Sequence, residues 1–357
     1  MLEPVEIKKP EKSTSDLNTK GDPGIRSFGA SILIQSVQAL EKEIEGIRTT
    51  VDIEYIHRMR VASRRLRSAL SIFKEILPEK KQTGWARTIR QLTQALGEAR
   101  DTDVQIDLLF NLQKTVSEPK YKPGMNRLYL RLTQNRAHLQ QDVFCALDEL
   151  IKSKTCEQIT SRFVQAGGES LNPTPPLFQL AYLILNEKLN GFMSYEVYLR
   201  QPDNTAMLHA MRIAAKRLRY AMEIFAPIYT DELSRPLQAA KKSQQILGDL
   251  HDCDVWISFL PGFEEKERER IRKFYGHSRP VYRITPGIQY FLENRISARN
   301  EAYRSFLKAW RKWREEELWL GLREVILLSV PAVPPEQHPT IDTVSSELDL
   351  PATQINS

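Results

Sequence analysis

Two stretches of this chain are versions of each other. "IHRMRVASRRLRSALSIF" occupies residues 56–73 and "LHAMRIAAKRLRYAMEIF" residues 208–225. At an offset of 152, ten of the seventeen positions 57–73 are identical: His57, Met59, Arg60, Ala62, Arg65, Leu66, Arg67, Ala69, Ile72 and Phe73 fall on His209, Met211, Arg212, Ala214, Arg217, Leu218, Arg219, Ala221, Ile224 and Phe225. Further on, "LGEARDTDV" (96–104) aligns with "LGDLHDCDV" (247–255) at an offset of 151. "RAHLQQDVFCAL" (136–147) resembles "RNEAYRSFLKAW" (299–310) more weakly, after an extra dozen or so residues around "EEKERERIRK". A duplication of this length points to two similar supersecondary units.

The unit is helical. Glycine is scarce, at 15 of 357 residues, strand-like alternation is hard to find, and Leu, Arg, Glu, Lys, Ala and Gln dominate the middle of the chain. The spacing predicts helices over 28–48, 54–77, 82–114 and 124–152, then over 177–199, 204–229, 231–260 and 287–328. The expected fold is all-α, with two four-helix bundles related by a pseudo-twofold around a basic groove or pore. "QAGGESLNPTPP", residues 165–176, has the composition of a linker between repeats 27–164 and 177–329. Residues 1–26 and 330–357 read as disordered tails, being polar, proline-bearing and without apolar periodicity.

On a helical wheel with His57 at 0°, Arg60, Arg64 and Arg67 fall at about 300°, 340° and 280°. Met59, Ala62, Leu66, Ala69, Leu70 and Phe73 form the apolar stripe between about 120° and 220°. His209, Arg212, Lys216 and Arg219 repeat the basic stripe. The cationic line is about 15 Å long and aimed away from the helix's own core. No acid is interleaved within it, so like charges at i,i+4 repel unless something anionic is supplied. A solvated basic face is the plain alternative, and the two histidines are alternatively structural caps of the stripe. Arg65 and Arg217 lie off the stripe and are expected to pair with Asp101, Asp103, Asp252 and Asp254. Arg90, Lys241, Arg136 and Arg299 either widen the track or are solvated.

The net charge of +6 understates this part. The first 26 residues balance, and the last 28 carry four acids and no Lys or Arg, leaving about +10 for residues 27–329. An excess of that size suits a polyanionic partner. The cysteines, Cys145, Cys156 and Cys253, have no paired spacing, and the N-terminus lacks the apolar run of a secretion signal. The expectation is a cytoplasmic protein without a membrane span; "LWLGLREVILLSV" (318–330) reads as a packed terminal helix.

The pattern H-x-x-R-x-x-x-[RK]-R-L-R followed by L-G-x-x-x-D-x-D-V, twice in one chain, resembles the CHAD domain, a histidine-bearing α-helical domain often found beside triphosphate tunnel enzymes. The resemblance covers roughly residues 28–329. It implies paired four-helix bundles around a basic groove or pore that binds inorganic polyphosphate, with association to polyphosphate granules in some members. Carried over by position, it nominates His57, Arg60, Arg64, Arg67, His209, Arg212, Lys216 and Arg219. Two positions depart from an even repeat: Lys216 keeps the charge of Arg64 without its fork, and His251 stands where Arg100 does.

No cofactor is expected, and no catalytic role. The E-x-E-x-K signature of the tunnel enzymes, P-loop and Rossmann glycines, H-E-x-x-H and paired cysteines are all missing. A metal held by His57, His209 and the D-x-D acids would sit among repelling cations, and a phosphohistidine lacks a partner acid or base. Nucleic acid is the main rival, because its backbone is also a phosphate chain. Single-strand binders usually add exposed aromatics, and only Tyr220 comes near the stripe; Trp310, Trp313 and Trp319 read as core. A helical scaffold for an acidic protein is the third alternative.

Overall fold

A computed structural model describes residues 22–50, 52–164 and 173–330. Residues 1–21 and 331–357 of the expected tails and 165–172 of the expected linker lie outside these residues. Among the described residues all regular structure is helical.

The first half runs α1 (Pro23–Glu41), α2 (Ile44–Thr49), α3 (Ile53–Ile72), α4 (Glu79–Thr115), α5 (Lys122–Lys152) and α6 (Thr155–Phe163). The second runs α7 (Pro175–Met193), a 3-10 turn over Glu196–Arg200, α8 (Thr205–Phe225), α9 (Ser234–Tyr275), α10 (Thr285–Glu315) and α11 (Leu318–Leu328). The first helix begins inside the expected tail because Asp22 caps it, its carboxylate accepting from Ile25 N at 2.7 Å. Asp52 and Asn204 cap α3 and α8 in the same way.

The helix predicted over 28–48 divides at Lys42 and Glu43 into α1 and α2, and three further boundaries differ. The helix predicted to stop at 260 continues through Pro261 to Tyr275, because Leu260, Phe263, Glu267 and Ile271 keep one buried face across the proline. The fully buried Glu267 carboxylate is held there by Arg131 at 2.7 Å and Arg270 at 2.5 Å. The helix ends at Gly276, whose φ of 74° a residue with a side chain adopts reluctantly. The helix predicted over 287–328 breaks at Glu317, and a further helix follows 124–152 after Lys154; both are non-glycine residues in the left-handed region, at φ 49° and 52°.

Several residues meet their own counterparts from the other half. Thr174 Oγ1 donates to Asp22 Oδ1 at 2.9 Å. The Phe73 and Phe225 rings pack edge to face at 6.2 Å, with Phe28 against both. Gly124 and Gly287, third residues of α5 and α10, cross so closely that a Cβ on Gly124 would lie 2.1 Å from Ile284 O, and one on Gly287 2.0 Å from Tyr121 O. These contacts bring the two halves together at a shared interface.

The two hydrophobic cores are accordingly shared between the halves. The larger joins α1, α3 and α4 to α7, α8, α9, α10 and α11, and contains Trp310, Trp313 and Trp319 as expected. The smaller joins Leu109, Met125 and Leu128 to Trp256, Phe263 and Phe291. Burying a side chain of this size stabilises by about 1.5–3 kcal/mol. Because both cores draw on both halves, α3 and α8 are fixed against one another.

Candidate functional site

The buried faces of α3 and α8 turn their basic stripes toward a common space. Lys216 feels the charges of Arg64, Arg212, Arg60 and Arg67, which, after burial, push its ammonium down to about 8. Arg64 is lowered first by burial and then by Arg60 of its own helix and Arg212 and Arg219 of α8. Cations from both halves therefore form one cluster. Between them Tyr220 is buried, with the Arg64 guanidinium 5.3 Å and the Arg219 guanidinium 5.4 Å from its ring centre. Its ring is occupied by these two cations and is no platform for a base.

The arginines of the H-x-x-R motif lie over glycine. The atom nearest a Cβ built on Gly97 is Arg60 Nε, and on Gly248 Arg212 Nε, at 3.7 Å in both halves. Arg60 Nη2 donates to Asp101 Oδ1 at 3.0 Å. Asp252, the counterpart of Asp101, is solvent-exposed, yet burial among protein atoms raises it to about 6, opposed by Arg212 and reinforced by Asp101.

The second acid of each D-x-D has a different task. Asp103 accepts from Arg136 Nε at 2.6 Å, and Asp254 from Arg299 Nε at 2.5 Å; Arg299 also donates to Pro202 O at 2.7 Å. Arg136 and Arg299, considered above as extensions of the track, are thus cross-braces from α5 to α4 and from α10 to α9. The expected partnership of Arg65 and Arg217 with these acids is corrected. Arg65 instead lies 3.7 Å from Glu223 Oε2, and Arg217 is exposed, with no ion pair among the described residues. A wheel fixes where a side chain leaves its own helix, while the partner belongs to a neighbouring one.

Arg90 is exposed, and its charge adds to burial in lowering Arg67. Lys241 lies 3.8 Å from Glu223 Oε1, and Arg219 Nε donates to the same oxygen at 2.8 Å. The stripe of α8, acid-free from His209 to Arg219, thus meets an acid one turn later. The i,i+4 spacing of Arg219 and Glu223 was the available signal.

The histidines stand at the N-terminal ends of the stripes. His209 Nδ1 lies 2.9 Å from His251 Nδ1; burial and then Arg212 lower both, His251 to about 4, so neither carries charge at neutral pH. His57 is lowered by burial and by Arg100. His57 Nδ1 and Arg100 Nη1 are buried without hydrogen-bond partners among the described residues. Among the described residues no group of three His, Cys, Asp or Glu side chains could hold a metal ion, and no helix is long and apolar enough to cross a membrane.

The chain was compared with known proteins. Two uncharacterized proteins of Mycobacterium tuberculosis, from strains CDC 1551 and H37Rv, are each 27% identical over 216 residues, or 56% of this chain. The chain spans 38% of the length of these curated relatives. The crystal structure of the CHAD domain from the plant Ricinus communis superposes with a TM-score of 0.58 at 20% identity, over 82% of this chain and 93% of that one. PptA from Streptomyces chartreusis gives 0.52 at 14% identity, over 80% and 99%. At these identities the likeness to the solved structures is one of fold. The family model of the CHAD domain matches residues 31–261, which contain both copies of the basic motif and both D-x-D segments, and the chain therefore belongs to the CHAD domain family.

Proposed function

We propose that this chain binds inorganic polyphosphate, without catalysing a reaction on it, along the track formed by α3 and α8. The observation that carries the reading is the convergence of Arg60, Arg64, Arg67 and Arg212 on Lys216. Arg64, Arg67, Arg90, Arg212 and Lys216 make no ion pair among the described residues, so the fold holds like charges together against their repulsion. A chain of phosphates relieves that repulsion along its length, and guanidinium forks match phosphate oxygens in geometry. His57, His209 and Arg100 supply donors at the head of the stripes. The same reading places the protein in the cytoplasm, at polyphosphate granules.

Nucleic acid is the second reading. Against it, Tyr220 offers no free face to a base. In its favour, exposed Phe274 and Tyr275 at the C-terminal end of α9 and Tyr282 after it lie near Arg283, an aromatic and basic combination of the kind single strands use.

The test is fluorescence anisotropy with labelled long-chain polyphosphate over a salt series, with unlabelled single-stranded RNA and DNA as competitors, on the wild type and Arg60→Ala/Arg212→Ala. The expected result is binding that the double variant loses by at least about a hundredfold, at about 1.4 kcal/mol per tenfold for each lost charged contact. Equal competition by RNA at matched phosphate would make the track a general polyanion surface. Absence of polyphosphate binding would overturn the reading.

A further inference from the structure

The two ends of the track differ by one acid. At the first-half end Arg67 and Arg90 stand near one another with no acid between them, and their repulsion contributes to lowering Arg67. At the second-half end the equivalent cations, Arg219 and Lys241, are bridged by Glu223. Arg65 of α3 approaches the other carboxylate oxygen at 3.7 Å, so a single carboxylate serves cations from α3, α8 and α9. That oxygen, Oε2, is buried and accepts no hydrogen bond. Beside it a cavity of about 310 Å³ opens between α1, α3, α8 and α9, with Arg65, Tyr220, Glu223 and Lys241 on its wall. At the position of Glu223 the first half has Ser71.

We propose that Glu223 limits the polyphosphate footprint and makes the track directional. This rests on the polyphosphate reading above. A carboxylate and a phosphate compete for the same guanidinium and ammonium groups, and a carboxylate fixed to the protein competes at high effective concentration. A short polyphosphate therefore engages Arg67, Arg90 and the central cations. A longer chain reaches Arg219, Lys241 and Arg65 only by displacing Glu223, and the adjoining cavity leaves the displaced side chain room to move.

The experiment measures affinity and salt slope for short and long polyphosphate chains of defined length, on the wild type, Glu223→Gln, Glu223→Ser and Ser71→Glu, each checked for its melting temperature. Glu223→Gln keeps the volume and removes the charge; Glu223→Ser copies the first half. Both are expected to bind long chains about tenfold more tightly at low salt, with a salt slope steeper by about one to two, and to leave short chains nearly unchanged. Ser71→Glu, at an exposed position, is expected to weaken short chains about tenfold by giving the open end its own competing acid. If the wild type binds while Glu223→Gln and Glu223→Ser keep its affinity and slope for long chains, Glu223 sets no footprint and this inference falls alone. If the wild type does not bind polyphosphate, the functional reading falls and takes this inference with it.

Discussion

Behind the track the two halves are built alike; along it they are not. Asp103 with Arg136 and Asp254 with Arg299 are the same cross-brace made twice, and Arg60 over Gly97 has its counterpart in Arg212 over Gly248. Along the track, Arg64 faces Lys216, Arg100 answers to His251, and Ser71 to Glu223. The physical reason lies in burial. Changing one partner of a buried brace strands the other charge away from water, so that arrangement tolerates little variation. A track cation such as Arg64 or Lys216 has no ion-pair partner among the described residues to strand, and a flexible polyanion adapts to a guanidinium, an ammonium or a gap. The difference separates the parts that hold the two helices in register from the parts that tune what lies between them.

The most severe way to break the likeness is at the crossing of α5 and α10. Gly124→Ala places a Cβ about 2.1 Å from the Ile284 carbonyl oxygen, and Gly287→Ala one 2.0 Å from that of Tyr121. Each is expected to cost about 3 kcal/mol or more, because both obstacles are backbone and cannot swing aside. Chemical denaturation gives the value directly. The two braces come next. Asp103→Ala leaves Arg136 without its carboxylate and is expected to cost about 3 kcal/mol. Asp254→Ala is expected to cost about the same, because each arginine keeps one further acceptor, Gln140 Oε1 for Arg136 and the Pro202 carbonyl for Arg299. A loss at only one of the two positions would mean that the braces are not equivalent.

A finer comparison uses pH. Lys216 titrates near 8 when folded, against an ordinary 10.5, so between these values the unfolded chain holds a proton that the folded chain does not. Stability contributed by this group therefore rises with pH across that window, and the positive charge present below it is what destabilises the fold. Polyphosphate favours the charged form, so wild-type affinity is expected to fall as pH climbs above about 8. Lys216→Arg, which stays charged and copies the first half, is expected to flatten both profiles. A wild-type affinity unchanged from pH 7 to 10 would show that Lys216 makes no contact with the ligand.

The helical class, the phase of α3 and α8 and the presence of two matching basic stripes were legible in the sequence, because each follows from periodicity within one helix. What was not legible involves a second helix. The D-x-D acids take Arg60, Arg136 and Arg299 rather than Arg65 and Arg217, a choice made by how α3, α4 and α5 cross. The run of α9 through Pro261 depends on the buried Glu267 and its arginines from α5. The breaks at Lys154 and Glu317 carry no glycine to announce them, although they fall at matching places in the two halves. The proline-glycine pairs at the starts of α5 and α10 were the overlooked signal, since a third-position glycine in each of two equivalent helices marks a close crossing.

The most direct measurement is the salt dependence of polyphosphate affinity after removing charge from one half at a time, comparing Arg60→Ala/Arg64→Ala on α3 with Arg212→Ala/Lys216→Ala on α8. If the two stripes form one track, either variant loses most of the affinity, and each flattens the slope by about one to two, because about 0.7–0.9 of a counterion is released per phosphate contact. If one variant keeps wild-type affinity and slope while the other loses both, a single helix binds the polyanion by itself, and the convergence of α3 and α8 on Lys216 is not the site.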